Sequence, residues 1–231
     1  YLGYDLFVCP HCGNESIVPH KCHFKLCTSC GTKEAKLRAA HISSIALDAK
    51  HRHIVFTIPK HLRGYFIKDR SLLNLLFIAA RNALACVFND AKYRKIKMKK
   101  LFIKKSKCPY SYKNDRNKIV FGSVLTLHTF GRDLKWNPHI HCLVCEEAFD
   151  TKKNKMKNFS FISYEKLRKT WMYQVLDLLS KQKLKHFHYL KQRFYDELVN
   201  GFYVYAKKKE KDNDDNNVDD CVNYITRYTS R

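Results

Sequence analysis

The sequence predicts an α+β protein, with a small cysteine-held zinc module followed by a larger domain of strands and helices. Three observations carry this. Two Cys-x-x-Cys pairs, Cys9–Cys12 and Cys27–Cys30, crowd a stretch too poor in apolar residues to build its own core. Short β-branched runs at 53–58, 119–128 and 139–144 read as strands. Apolar residues at helical spacing mark 33–50, 70–89 and 163–185. The expected boundary puts the zinc module at 1–36 and the larger domain at 37–231.

The elements follow in order. Residues 33–50 have helical composition, with Leu37, Ala40, Ile45 and Leu47 near one face. His53 to Ile58 is a buried strand closed by Pro59. Arg70 to Asn89 is a long, largely buried helix. Residues 91–118 lose all periodicity and fill with Lys and Arg, so they predict a basic surface loop or hairpin. Gly131 and Pro138 separate the strands 119–128 and 139–144 and let the chain return antiparallel. The 163–185 helix carries Leu167, Trp171, Val175, Leu178 and Leu179 on one stripe. A second helix at 189–200 stops at Gly201, and 202–206 reads as a strand. Asp212, Asp214 and Asn216 stand at calcium-loop offsets, but Asn217 and Asn223 replace the Gly and Glu such a loop needs. A solvated loop capped by Asp219 or Asp220, then a final helix with Tyr224 and Tyr228, is the expectation.

Charge narrows the partners. Lys and Arg number 44 against 21 Asp and Glu, a net charge of +23 over 231 residues. Such a surface favours a polyanion, and nucleic acid leads because each phosphate contact releases counterions. An anionic membrane surface would want a basic amphipathic helix, which neither terminus offers. A general lysine bias is the plain alternative. No stretch reaches 18 uncharged apolar residues, and no basic-then-apolar leader opens the chain. Five of the ten cysteines lie in the first thirty residues, and Cys86, Cys108, Cys142, Cys145 and Cys221 are scattered. That distribution predicts a reduced, cytosolic protein with one metal knuckle rather than a disulfide framework.

Cys9, Cys12, Cys27 and Cys30 offer four thiolates in two pairs separated by fourteen residues, the donor set of a structural tetrahedral Zn²⁺. Cys22 either substitutes for one of them or is a spare thiol. Gly13 and Gly31 follow the second cysteine of each pair, where a knuckle turn favours φ > 0. Four thiolates leave no open position, so the role left is DNA binding or holding the edge of the larger domain.

His139-Ile140-His141 puts two imidazoles on one face of a strand. An antiparallel return brings His128 beside His139, giving three nitrogen ligands with open positions, a set suited to Lewis-acid chemistry on a phosphodiester. Tyr224 and Tyr228 share a helix face, about 6 Å apart along the axis. A tyrosine is a competent nucleophile toward phosphate once its proton is removed. Arg227 and Arg231 stand ready to bind the scissile phosphate or the DNA backbone.

The cysteine module, RHIVFTIPKHLRGYF at 52–66, HTFGRDLKWNPHIHCLV at 128–144 and YITRYTSR at 224–231 occur in an order that resembles the insertion-sequence-ninety-one-like transposases. These are two-tyrosine members of the HUH endonuclease superfamily. The resemblance implies an HUH nuclease domain over 37–231, its central antiparallel sheet flanked by helices. It implies a bacterial, rolling-circle DNA transposase acting in the cytoplasm on single-stranded element ends. Tyr224 and Tyr228 are its nucleophiles, forming a 5′-phosphotyrosine. Mg²⁺ or Mn²⁺ sits at His139 and His141, with His128 as third ligand and Asp133 as the weaker choice. The Lys92–Lys118 segment, including Lys99, Lys100, Lys104 and Lys105, tracks the DNA backbone, and Tyr110 and Tyr112 are candidates for stacking on bases. Phe130 departs from the tryptophan common at that place. The chain stops at Arg231 where similar proteins continue, so a C-terminal truncation is expected. A rolling-circle replication initiator or relaxase with the same chemistry, or a zinc-dependent DNA binder without catalysis, remain the alternatives.

Overall fold

The structure is a computed structural model and describes residues 3–22, 27–89, 119–131, 133–151, 153–159, 162–182, 184–185, 187–206 and 222. The basic 91–118 segment, the acidic 212–220 run and the 224–231 end, as read above, lie outside these residues.

The chain opens with an antiparallel hairpin of β1 (Tyr4–Val8) and β2 (Glu15–Pro19), register Val8↔Glu15. Its tip is the first cysteine knuckle. The Cys9 N–H donates to Asn14 O at 2.8 Å and the Gly13 N–H to Cys9 O at 2.9 Å. Gly13 has φ +70°, as the knuckle requires. Gly31 departs from expectation. It lies inside helix α1 (Thr28–Ile45), its N–H donating to Cys27 O at 2.9 Å. The second pair therefore sits on a helix start, and α1 runs unbroken across residue 36. Leu37 and Ile45, expected on the inner face, are exposed; Ala39 is buried instead.

The larger sheet has the order β4–β5–β3–β7, every pairing antiparallel. It consists of β3 (His51–Thr57), β4 (Ile119–Phe130), β5 (Trp136–Asp150) and β7 (Val204–Ala206), and β6 (Lys155–Asn158) pairs the far end of β5. β5 is central and longer than its apolar core suggested, because both neighbours satisfy its backbone.

Strand alternation divides the sheet. Ile54, Phe56, Ile140, Cys142 and Val144 enter the main core. Against them pack α2 (Lys60–Lys68), α3 (Leu73–Asn89), α4 (Tyr164–Ser180) and α5 (Phe187–Glu197). The Trp171 indole N–H donates to Thr57 O at 2.8 Å, tying α4 to the end of β3. The Arg70–Asn89 segment is long and apolar enough to cross a membrane, yet Leu73, Leu76, Ala80, Leu84 and Phe88 are buried within the core, which makes it the core helix. On this face Arg52 donates to Glu146 at 2.8 Å and to the Tyr164 hydroxyl at 3.1 Å. Burial disfavours the guanidinium charge, but those two partners outweigh it and raise its pKa.

The opposite face holds the histidines. Ala39 and Ile42 of α1 pack there with Val124 and Leu143. Val222 joins this small cluster and is only 1% exposed.

Candidate metal centres

His139 and His141 leave β5 on the face away from the main core, as their spacing predicts, and β4 pairs His128 directly with His139. A register shift after His128 lets the strand turn at Gly131, whose N–H donates to Lys135 O at 2.9 Å. The nitrogens offered by His128, His139 and His141 all lie within 4.8 Å of one another. His139 Nε2 and His141 Nε2 face each other at 3.1 Å. Imidazoles bound at about 2.1 Å to one ion stand roughly 3.0–3.4 Å apart, so this pair is set for a shared cation. Asp133 lies outside the group. Its exposed carboxylate accepts from the Lys135 N–H at 3.2 Å and pairs with the Lys135 ammonium at 3.3 Å.

The electrostatics suit a metal. Burial lowers the pKa of all four histidines on this face, and His53 and His128 are pushed down to about 4. For His128 and His141 the neighbouring imidazoles add to that effect. The rings are therefore neutral near pH 7, with lone pairs to give. His139 Nδ1 donates to Asn137 O at 2.6 Å, since a carbonyl can only accept, which leaves its Nε2 bare. Three neutral imidazoles can hold one divalent cation and leave positions open, the nitrogen donors themselves suiting Zn²⁺.

Two residues here escaped the sequence reading. His53 on β3 lies nearly coplanar with His141, edge to edge, with ring centroids 5.1 Å apart at 9° and its Nε2 2.9 Å from His141 Nδ1. The alternation of His53 with Ile54 and Phe56 gave its face; the pairing of β3 with β5 gave its neighbour. Arg63 on α2 is the other. Trp136 on β5 donates its indole N–H to Arg63 O at 3.1 Å. The Arg63 charge helps, after burial, to lower the His139 pKa, and its buried Nε has no hydrogen-bond partner among the described residues.

In the N-terminal module Cys22, Cys27 and Cys30 place their sulfurs within 4.8 Å, with Cys22 Sγ and Cys30 Sγ 3.5 Å apart. Thiolates on one tetrahedral zinc sit about 3.8 Å apart, so the trio fits three of its ligands. Cys22, ambiguous from spacing, is thus gathered with the second pair. Cys9 and Cys12 lie together at the hairpin tip and are not in the trio. The N–H groups of Cys12 and then His11 lower the Cys9 pKa, favouring a thiolate there too. His20 is turned to Asp5, Nε2 to Oδ1 2.9 Å.

Tyr224, Tyr228, Arg227, Arg231, Lys99, Lys100, Lys104, Lys105, Tyr110 and Tyr112 lie outside the described residues.

Comparison with known proteins agrees with both halves. A family described as "Transposase zinc-binding domain" matches residues 1–58, and one described as "Putative transposase" matches 122–231. The chain is 30% identical over 239 residues to "Transposase for insertion sequence element IS801" of Pseudomonas savastanoi pv. phaseolicola, covering 95% of this chain and 50% of that protein. It is 23% identical over 144 residues to "Putative transposase y4qJ" of Sinorhizobium fredii (strain NBRC 101917 / NGR234), covering 62% of this chain and 30% of that one. The chain thus spans half or less of the curated relatives it matches. No solved structure matches it significantly. With a zinc-binding transposase domain at one end and a transposase domain at the other, the chain belongs to the insertion-sequence-ninety-one-like transposases.

Proposed function

We propose that the chain cleaves and rejoins single-stranded DNA as a rolling-circle transposase of the HUH type, in the bacterial cytoplasm. His128, His139 and His141 hold Mg²⁺ or Mn²⁺, and Tyr224 or Tyr228 is the nucleophile. The bound cation supplies Lewis-acid stabilisation of charge on the phosphate oxygens. The tyrosine phenol loses its proton and its oxygen attacks phosphorus. The P–O3′ bond breaks, the 3′-oxygen takes up a proton, and a 5′-phosphotyrosine remains. Phosphodiester energy is kept in that bond, so the second tyrosine can exchange strands without ATP.

The supporting observation is the seat of Val222. It packs with Leu143, two residues past His141 on the same sheet face, and Tyr224 follows it by two residues. Chain leading to the tyrosines thus meets the histidine-bearing face. Structural zinc at the cysteines holds the N-terminal module on α1. The lysines at 99, 100, 104 and 105, with Arg227 and Arg231, supply phosphate contacts.

The test is incubation of the full-length protein with single-stranded oligonucleotides from element ends and Mn²⁺, followed by a denaturing gel. A covalent protein–DNA band that maps to the peptide holding Tyr224 and Tyr228 is expected. Tight DNA binding with no covalent band would instead make this a zinc-dependent binder.

A further inference from the structure

His139 and His141 solve the same problem in different ways. A histidine that gives Nε2 to a cation must carry its proton on Nδ1, and something must accept that proton. For His139 the acceptor is the Asn137 carbonyl, which admits one tautomer only. For His141 the atom facing Nδ1 is His53 Nε2, at 2.9 Å. An imidazole nitrogen either donates or accepts, so this contact permits two tautomeric states.

In the first state His53 Nε2–H donates to His141 Nδ1. His141 Nε2–H then donates across 3.1 Å to the bare Nε2 of His139, and the site is closed by an internal N–H···N bond. In the second state His141 Nδ1–H donates to His53 Nε2, and the two bare Nε2 atoms of His139 and His141 face each other. With nothing between them their lone pairs repel; a cation between them reverses the sign. Passing from the first state to the second moves one proton from Nε2 to Nδ1 on each of His53 and His141. No proton is gained or lost.

We propose that His53 is a positioning residue for the cation site, its ring accepting the Nδ1 proton of His141 so that His141 Nε2 is bared toward His128 and His139. The inference rests on the reading that these three histidines hold a divalent cation. The geometry around His53 suits the role. It is fixed in β3 opposite Leu143, next to the core residue Ile54, and lies in nearly the same plane as the ring it serves. Partners of this kind on other metal-bound histidines contribute about 10–100-fold in affinity.

The experiment measures Mn²⁺ affinity of the full, zinc-loaded chain by electron paramagnetic resonance, alongside thermal unfolding without Mn²⁺. His53→Phe keeps an aromatic ring but cannot accept a proton, so Mn²⁺ should bind about 10–100-fold more weakly. His53→Glu can only accept, which holds His141 in the second state, and should bind at least as tightly as wild type. His53→Gln, a weaker acceptor, should fall between. Affinities that track unfolding temperature rather than acceptor strength overturn the proposal. Should His53→Phe fail to fold, equal affinities for His53→Glu and His53→Gln also overturn it. The control is His139→Ala. If that variant binds Mn²⁺ like wild type, the cation site itself is wrong and the proposal falls with it. If it loses Mn²⁺ while His53→Phe does not, only the role of His53 is wrong.

Discussion

His139 Nε2 and His141 Nε2 point at one another across 3.1 Å although their rings are inclined by 57°. Adjacent same-face residues on a strand usually run parallel; here the Asn137 carbonyl turns one ring and His53 turns the other. Removing both, as His139→Ala with His141→Ala, should lower strand cleavage by roughly 10³-fold or more, the scale of several kcal/mol of lost charge stabilisation. Affinity for single-stranded DNA should stay within about threefold, because phosphate contacts dominate it. A filter-binding titration beside the cleavage gel separates the two, and a collapse of binding would mean that the pair serves the fold.

The histidine triad was legible because its signal is local. The i, i+2 spacing gives the face, and Gly131 with Pro138 gives the return that pairs His128 with His139. The role of His53 was not legible, since its partner is 88 residues away and nothing in a single strand names the strand beside it. Helix α2 is not legible because Pro59 reads as the end of β3, whereas it also opens the following helix, its carbonyl accepting the Leu62 N–H at 3.0 Å. The inner face of α1 is hidden in the sequence for a related reason. Its apolar residues are spread round the helix, and Ala39 and Ile42 are the ones that pack with Val124 and Leu143 of the sheet.

Cys22 tests the zinc module. Because its sulfur lies 3.5 Å from that of Cys30 and within the trio, Cys22→Ser should cut bound zinc measured by mass spectrometry under native conditions, and should lower the melting temperature of the N-terminal module. Full zinc occupancy in Cys22→Ser would return the ligand set to Cys9, Cys12, Cys27 and Cys30.

Arg63 stands close enough to His139 for its charge to lower that imidazole's pKa, and its buried Nε has no hydrogen-bond partner among the described residues. A DNA phosphate drawn to the cation site is the anion that the Arg63 charge would meet there. Arg63→Gln should weaken binding of a single-stranded oligonucleotide across the cleavage site by about 5–10-fold, the scale of one charge-assisted contact. It should also raise the His139 pKa, followed by nuclear magnetic resonance titration of the metal-free protein. An unchanged affinity would place Arg63 outside the DNA path.

Gly201 connects α5 to β7 at φ +78°, and a Cβ there would meet the Arg168 carbonyl oxygen of α4 at 2.5 Å. Both the dihedral and the contact exclude a side chain. Gly201→Ala should therefore destabilise the domain by about 2–4 kcal/mol, combining left-handed strain with overpacking. Urea unfolding reads this directly, and a loss below about 0.5 kcal/mol would mean that the α4–β7 junction yields freely.

Acid should weaken the metal-free fold through the same histidines. Burial holds His53 and His128 to about 4, against 6.5 for the exposed ring, and lowers His139 and His141 as well. Between those values the unfolded chain binds protons that the folded chain refuses, so stability is full above pH 6.5 and falls as pH drops toward 4. The melting temperature of chelator-treated protein should be flat from pH 8 to 6.5 and fall by several degrees by pH 5, before carboxylates contribute. His128→Gln removes one such group, so its decline over the same window should be shallower than that of wild type. Parallel declines would show that the acid sensitivity arises elsewhere in the chain.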